Sequence, residues 1–113
     1  WRVDAAGESG GWHVTISATD FTDASSHTFS VSNLEFRLLD ENISLVSGDP
    51  NLPSSTQVNF FALGATPVKF LSASSGTGDG VYDLSPDFRL IVPAETYAGD
   101  YSATITISVN SGP

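Results

Sequence analysis

The sequence predicts an all-β fold, a single antiparallel β-sandwich domain over residues 1–113. Three observations carry this. In the most regular stretches apolar residues recur at every second position, which is the period of a half-buried strand and not of a helix. Glycine, proline, asparagine and aspartate break the chain at short intervals, as turns between strands require. No segment sustains a helical period, and Asp49-Pro50 and Leu52-Pro53 disfavour helix at the residue before each proline.

The clearest strand is Trp12–Ala18, with Trp12, Val14, Ile16 and Ala18 on one face and His13, Thr15 and Ser17 on the other. Ahead of it, Trp1-Arg2-Val3 reads as the tail of a strand closed by the glycine-rich turn Gly7–Gly11. Further candidates are Phe29–Leu39, Ile43–Val46, Val58–Leu63, Val68–Leu71 and Phe88–Val92, with Val81–Leu84 as a short edge piece. The last strand alternates Tyr101, Ala103, Ile105, Ile107 and Val109 with Ser102, Thr104, Thr106 and Ser108. Turns fall at Asp23–Ser26, Gly48–Pro53, Ser72–Gly80 and Ala98–Asp100. About seven such strands in two packed sheets make an immunoglobulin-like sandwich. Its expected core includes Trp12, Ile16, Phe36, Phe70, Ile105 and Ile107. There is no internal repeat and no linker.

A chain of 113 residues that is 40% hydrophobic, with seven Phe, three Tyr and two Trp, can fill one core without staples. Only 15% of residues are charged, so polarity comes from hydroxyls, amides and glycine, a mix suited to strands and turns outside a cell. The net charge of −9 repels phosphate backbones and anionic lipid, which excludes nucleic acid and membrane-surface partners. Only Arg2, Arg37, Lys69 and Arg89 are basic, and they are scattered. With no Cys there is neither disulfide nor thiolate chemistry. With no Met the chain lacks its own initiator and reads as a processed product or a fragment. No apolar run is long enough to span a membrane.

Nothing points to an enzyme. His13 sits on a strand and His27 in a loop, and no nucleophile elbow, zinc-binding His pair or phosphate loop is present. Asp20 and Asp23 flank one turn, Asp79 and Asp83 another, and Asp4 and Glu8 bracket the glycine-rich turn. Calcium is the one ligand such acids could hold, as a stabiliser rather than a catalyst. The alternative is ordinary solvated turn acids. Trp12, Tyr97 and Tyr101 are candidates for a sugar platform, set against a core position for Trp12 and a corner formed by Tyr97 and Tyr101 that pins the last strand. Phe60-Phe61 puts one ring on each face of its strand, so the outward ring needs an interface or a covering loop. Asn42-Ile43-Ser44 matches the N-glycosylation triplet, and the loops Asp23–Thr28 and Ser72–Thr77 are rich enough in hydroxyls for O-linked sugar.

Two stretches carry a family resemblance. Residues 1–21 combine Asp4, a glycine-rich turn, Gly11-Trp12, an alternating strand and then Asp20-Phe21. Residues 91–113 combine Tyr97-Ala98-Gly99-Asp100-Tyr101, an alternating strand and a terminal Pro113. Both ends resemble the WxL-type domains of Gram-positive bacterial surface proteins, and the middle of the chain is not covered. The resemblance implies a surface location and non-covalent attachment to cell-wall polysaccharide through two Trp-containing motifs. The first would correspond to Trp12-His13-Val14. In the second, Ile107-Ser108-Val109 stands where the family has Trp-x-Leu.

Two functions are therefore expected of a secreted, non-enzymatic module. One is a structural subunit of an extracellular filament or surface layer, in which identical copies join head-to-tail by exchanging strands. Trp1 and Val3 mark the edge where a strand is missing, and relatives carry a further strand before that point. The other is a wall- or glycan-binding module, with an adhesion domain in a long surface protein as a third possibility. Residues around Trp1 packed on their own sheet, with no foreign strand in contact, would settle the question against the first.

Overall fold

A computed structural model describes all residues from Trp1 to Pro113. The chain is all-β, and every strand pairing is antiparallel. The strands are β1 (Arg2–Asp4), β2 (Trp12–Ala18), β3 (Phe21–Thr22), β4 (Thr28–Phe29), β5 (Leu34–Arg37), β6 (Ile43–Gly48), β7 (Ser54–Ser55), β8 (Phe61–Ala62), β9 (Val68–Ala73), β10 (Gly80–Leu84), β11 (Asp87–Leu90) and β12 (Ile105–Ser111). They form a four-stranded sheet ordered β12-β2-β9-β7, three-stranded sheets β1-β10-β6 and β11-β5-β8, and the hairpin β3-β4.

The two three-stranded sheets are halves of one layer. In β10 and β6, Leu84 faces Ile43, and beyond a short break Asp87 of β11 faces Arg37 of β5 in the same direction. Both runs are interrupted at one level. Pro86 has no N–H to pair, and a 3-10 turn occupies Asp40–Asn42. The Ser85 N–H donates to the Asn42 carbonyl there and ties the two breaks together. This layer packs on the four-stranded sheet through aromatic pairs. Phe36 meets Phe70 edge-on with centroids 4.9 Å apart, and Trp12 meets Tyr82 at 6.3 Å.

The alternation of β2 is the backbone of the core. Trp12, Val14, Ile16 and Ala18 are buried, and Phe36, Leu38, Phe70, Leu71 and Tyr82 are fully enclosed with them. The buried polar handles are satisfied. Trp12 Nε1 donates to the Gly78 carbonyl at 3.0 Å, and Tyr82 Oη donates to the Asp49 carbonyl at 2.8 Å.

Several expectations are corrected. The chain makes twelve strands rather than about seven: β5–β6 and β10–β11 are each broken in the middle, and β3, β4, β7 and β8 are two-residue pieces. Val81–Leu84 is no edge piece; β10 is the central strand between β1 and β6. Phe29–Leu39 is split by a 3-10 turn at Val31–Asn33, where Ser30 caps and Asp20 accepts the Val31 N–H. Ile105 and Ile107 do not belong to the sealed core and are 38% and 40% exposed. They do point toward it, since Ile107 faces Ile16 and Ile105 faces Ala18 across the ladder. The facing layer offers no strand to lie over them.

Candidate functional site

The uncovered side chains of β12 form one wall of an apolar groove. β12 is the last strand of its sheet, and β1 is the last strand of the facing half-layer, so two unpaired backbone edges flank the same opening. The groove encloses about 440 Å³. Val14, Phe70 and Leu84 line its depth, with Trp1 and Val3 on one side and Ile107 and Val109 on the other.

The Trp1 side is firmly built. The Trp1 α-amino group donates to the Leu84 carbonyl at 2.9 Å, and the Leu84 N–H donates back to the Trp1 carbonyl at 2.7 Å. The Trp1 ring stacks near-parallel on Phe36 at 6.0 Å and meets Phe88 at 5.8 Å, yet stays 47% exposed. Val3 is buried. Trp1 and Val3 thus pack on their own sheet through β10, the arrangement expected to count against strand exchange at this end of the chain. Arg2 points outward to Asp83, 2.9 Å away, and its hydrogen bond holds the Asp83 carboxyl below the usual carboxylate range. The outer edge of β11 is also unpaired. Phe88 and Leu90 lie opposite Phe36 and Leu34, on the inward face, and both remain exposed.

A second apolar hollow of about 340 Å³ lies under the β11–β12 connection. Phe21 stacks on Phe29 at 4.6 Å, Phe29 meets Tyr101 at 5.0 Å, and Tyr97 stacks on His27 at 4.2 Å. Tyr101 Oη donates to the Tyr97 carbonyl at 2.8 Å, the corner that the spacing of these tyrosines suggested. Tyr97 itself is strongly exposed. Asp23 organises the neighbouring turn. It accepts the N–H of Ser25 and of His27 on Oδ1, and the His27 ring on Oδ2 at 2.9 Å. Burial pushes its carboxyl up, but the ring and backbone hydrogen bonds outweigh that and leave it below the ordinary value.

The remaining candidates fall apart from one another. Asp79 accepts the Gly7 N–H, Asp4 the Ala6 N–H, Asp20 the Val31 N–H, and Asp83 is paired with Arg2. No three acidic or histidine side chains converge as metal ligands. Trp12 lies in the core, where no sugar reaches its face. Asn42 is half-buried in the break between β5 and β6.

Two features escaped sequence reasoning. The outward ring of Phe60 is sandwiched between the guanidinium groups of Arg37 and Arg89, 4.4 and 4.3 Å from its centroid. Those arginines pair with Asp87 and Glu35 across the β11–β5 ladder, and only strand register could have revealed this. The other is the second hollow, which Leu90 and Val92 help to line; its one sequence signal is the run Leu90-Ile91-Val92, apolar on both faces of an extended segment. No protein-family model matches the chain, and no curated protein or solved structure is significantly similar to it.

Proposed function

We propose that the chain is an immunoglobulin-like structural module that assembles outside the cell by accepting a β-strand from a neighbouring copy into the groove between β1 and β12. The observation that carries this is the pairing of an apolar channel with two unpaired strand edges. An apolar channel alone suits many ligands. Free N–H and C=O rows on its flanks suit an extended peptide, which pairs the backbone and drops alternate side chains into the channel. The tyrosine corner and the two antiparallel layers support the immunoglobulin-like reading.

Donor segment and acceptor groove are different surfaces, so the contact is heterologous and propagates into a filament unless it closes into a ring. Acidic copies repel, so apolar burial and backbone pairing must supply the attraction. Sedimentation velocity and negative-stain electron microscopy of the chain over a range of concentrations test this. Growing linear polymers are expected. A monomer at every concentration, or a closed dimer joined through two β12 edges, overturns it.

The wall-binding reading implied by the WxL resemblance has less support. Trp12 is enclosed and position 107 is an isoleucine. The exposed Tyr97 beside the aromatic hollow is what remains for a glycan.

A further inference from the structure

We infer that the hollow under the β11–β12 connection is an aromatic cage for a quaternary ammonium group, such as the trimethylated nitrogen of choline. The site shares no lining residue with the groove between β1 and β12, so it stands whether or not that groove takes a strand.

The fold gathers the aromatics from two places. The hairpin β3-β4 supplies Phe21 and Phe29, which lie opposite each other in the ladder and therefore share a face. The turn before β12 supplies Tyr97 and Tyr101, and all four side chains line the hollow. Thr22 and Ser102 exchange backbone hydrogen bonds and lock the two pieces together. Ser26 and Glu95, one in each of the flanking loops, both sit at φ 64°, and no other residue except glycine has a positive φ. Such backbone is costly and persists only where its surroundings fix it.

The electrostatics favour a cation. Aromatic faces carry the negative lobe of the ring quadrupole and attract positive charge. Asp23 adds a full charge behind the wall. Its side chain is only 7% exposed and lies against Gly99, where a Cβ would come 3.1 Å from Oδ2. Gly99 lines the hollow, so the missing side chain lets the carboxylate approach it. That charge is felt at the wall, since burial pushes the Tyr101 phenol up and Asp23 pushes it further. None of the four Lys and Arg residues lines the site.

The hydrogen bonding selects the kind of cation. The hydroxyl hydrogens of the wall are already committed, Thr96 Oγ1 to the Pro93 carbonyl at 2.6 Å and Tyr101 Oη to the Tyr97 carbonyl. A sugar or a primary ammonium would bring polar hydrogens that need acceptors which this apolar wall does not supply. A quaternary ammonium has no N–H, and its charge is spread over methyl groups that pack on rings.

Three probes titrated into the whole chain test this, read by NMR shifts of the Tyr97 and Tyr101 ring protons: choline, its neutral isostere with tert-butyl in place of trimethylammonium, and ammonium chloride. Choline should saturate the shifts and bind about tenfold more tightly than the isostere. Tyr97→Leu keeps apolar bulk at an exposed position but removes the aromatic face, and should weaken choline about tenfold, whereas Tyr97→Phe should not. Asp23→Asn should weaken it roughly threefold. Equal affinity for the neutral isostere would show a merely apolar hollow, and equal response to ammonium a general attraction to an acidic chain. Either result, or shifts that never saturate with choline, overturns the inference.

Discussion

Phe36 shows how one side chain joins four parts of the molecule. Its ring contacts Trp1, Phe61, Phe70 and Phe88, so the residue leading into β1 and strands β8, β9 and β11 all meet on it. Phe36→Ala should cost about 3–5 kcal/mol in urea unfolding, because the cavity is enclosed on every side. Ile107→Ala in the monomer should cost roughly 1–2 kcal/mol, because much of that side chain is already in water. Equal costs would mean that the groove is closed in solution. Tyr101→Phe, which removes only the corner hydroxyl, should cost about 1 kcal/mol. Asp23 carries the pH dependence of its turn. Its folded carboxyl titrates below the unfolded value of 3.8, so the stability it contributes is complete above that value and is lost as pH falls through the lower folded one. Unfolding measured on the acid side should show Asp23→Asn less sensitive to pH than the parent. An unchanged acid slope would show that the hydrogen bonds to Asp23 do not persist in solution.

Elements differ in how far the sequence reveals them. β2 is legible because its alternation is matched by cover on its inner face, and Trp12, Val14 and Ile16 lie where the pattern puts them. β12 has the same alternation and pairs with β2 over its whole length, yet it ends a sheet and lies under nothing. Period-2 patterning names the inward face of a strand but not whether another layer reaches it, so Ile105 and Ile107 point inward as the pattern predicts yet lie outside the sealed core. Val81–Leu84 reads in the sequence as a short edge piece, whereas β10 is paired on both sides, and the Arg2 partner of Asp83 is visible only in three dimensions. The groove was legible only as the expectation of an open edge near Trp1. A tight crossing between β6 and β10 was not legible at all. Gly48 has φ +94°, and a Cβ there would lie 2.6 Å from the Asp79 carbonyl oxygen, so the two strands meet as closely as glycine allows. Gly48→Ala should cost about 1–3 kcal/mol or more in thermal unfolding. A neutral result would mean that this crossing is looser than described.

At the scale of the whole molecule, end-to-end half-layers give a rod. The extents are 50 × 23 × 19 Å, and the radius of gyration is 16.1 Å, against about 13 Å for a compact chain of this length. The groove runs along this rod between two strand edges, so a donated strand could link copies along their length, with the net charge of −9 opposing every junction. That opposition gives a test of what holds the copies together. Of the four basic residues, Arg2, Arg37 and Arg89 are already paired within the chain, leaving Lys69 as the one base outside an ion pair. A junction built on charge attraction therefore has almost nothing to use, whereas one built on apolar burial and backbone pairing works against a screened repulsion. Raising the salt from about 0.01 M to 0.15 M shortens the Debye length from about 30 to 8 Å, so assembly followed by light scattering should become faster and more complete. Ile107→Lys and Val109→Lys should abolish it at either salt while leaving the circular dichroism spectrum unchanged, because each places a solvated charge inside the channel that the incoming strand must dry. Assembly that weakens with salt, or that survives both lysines, would place the junction on another surface.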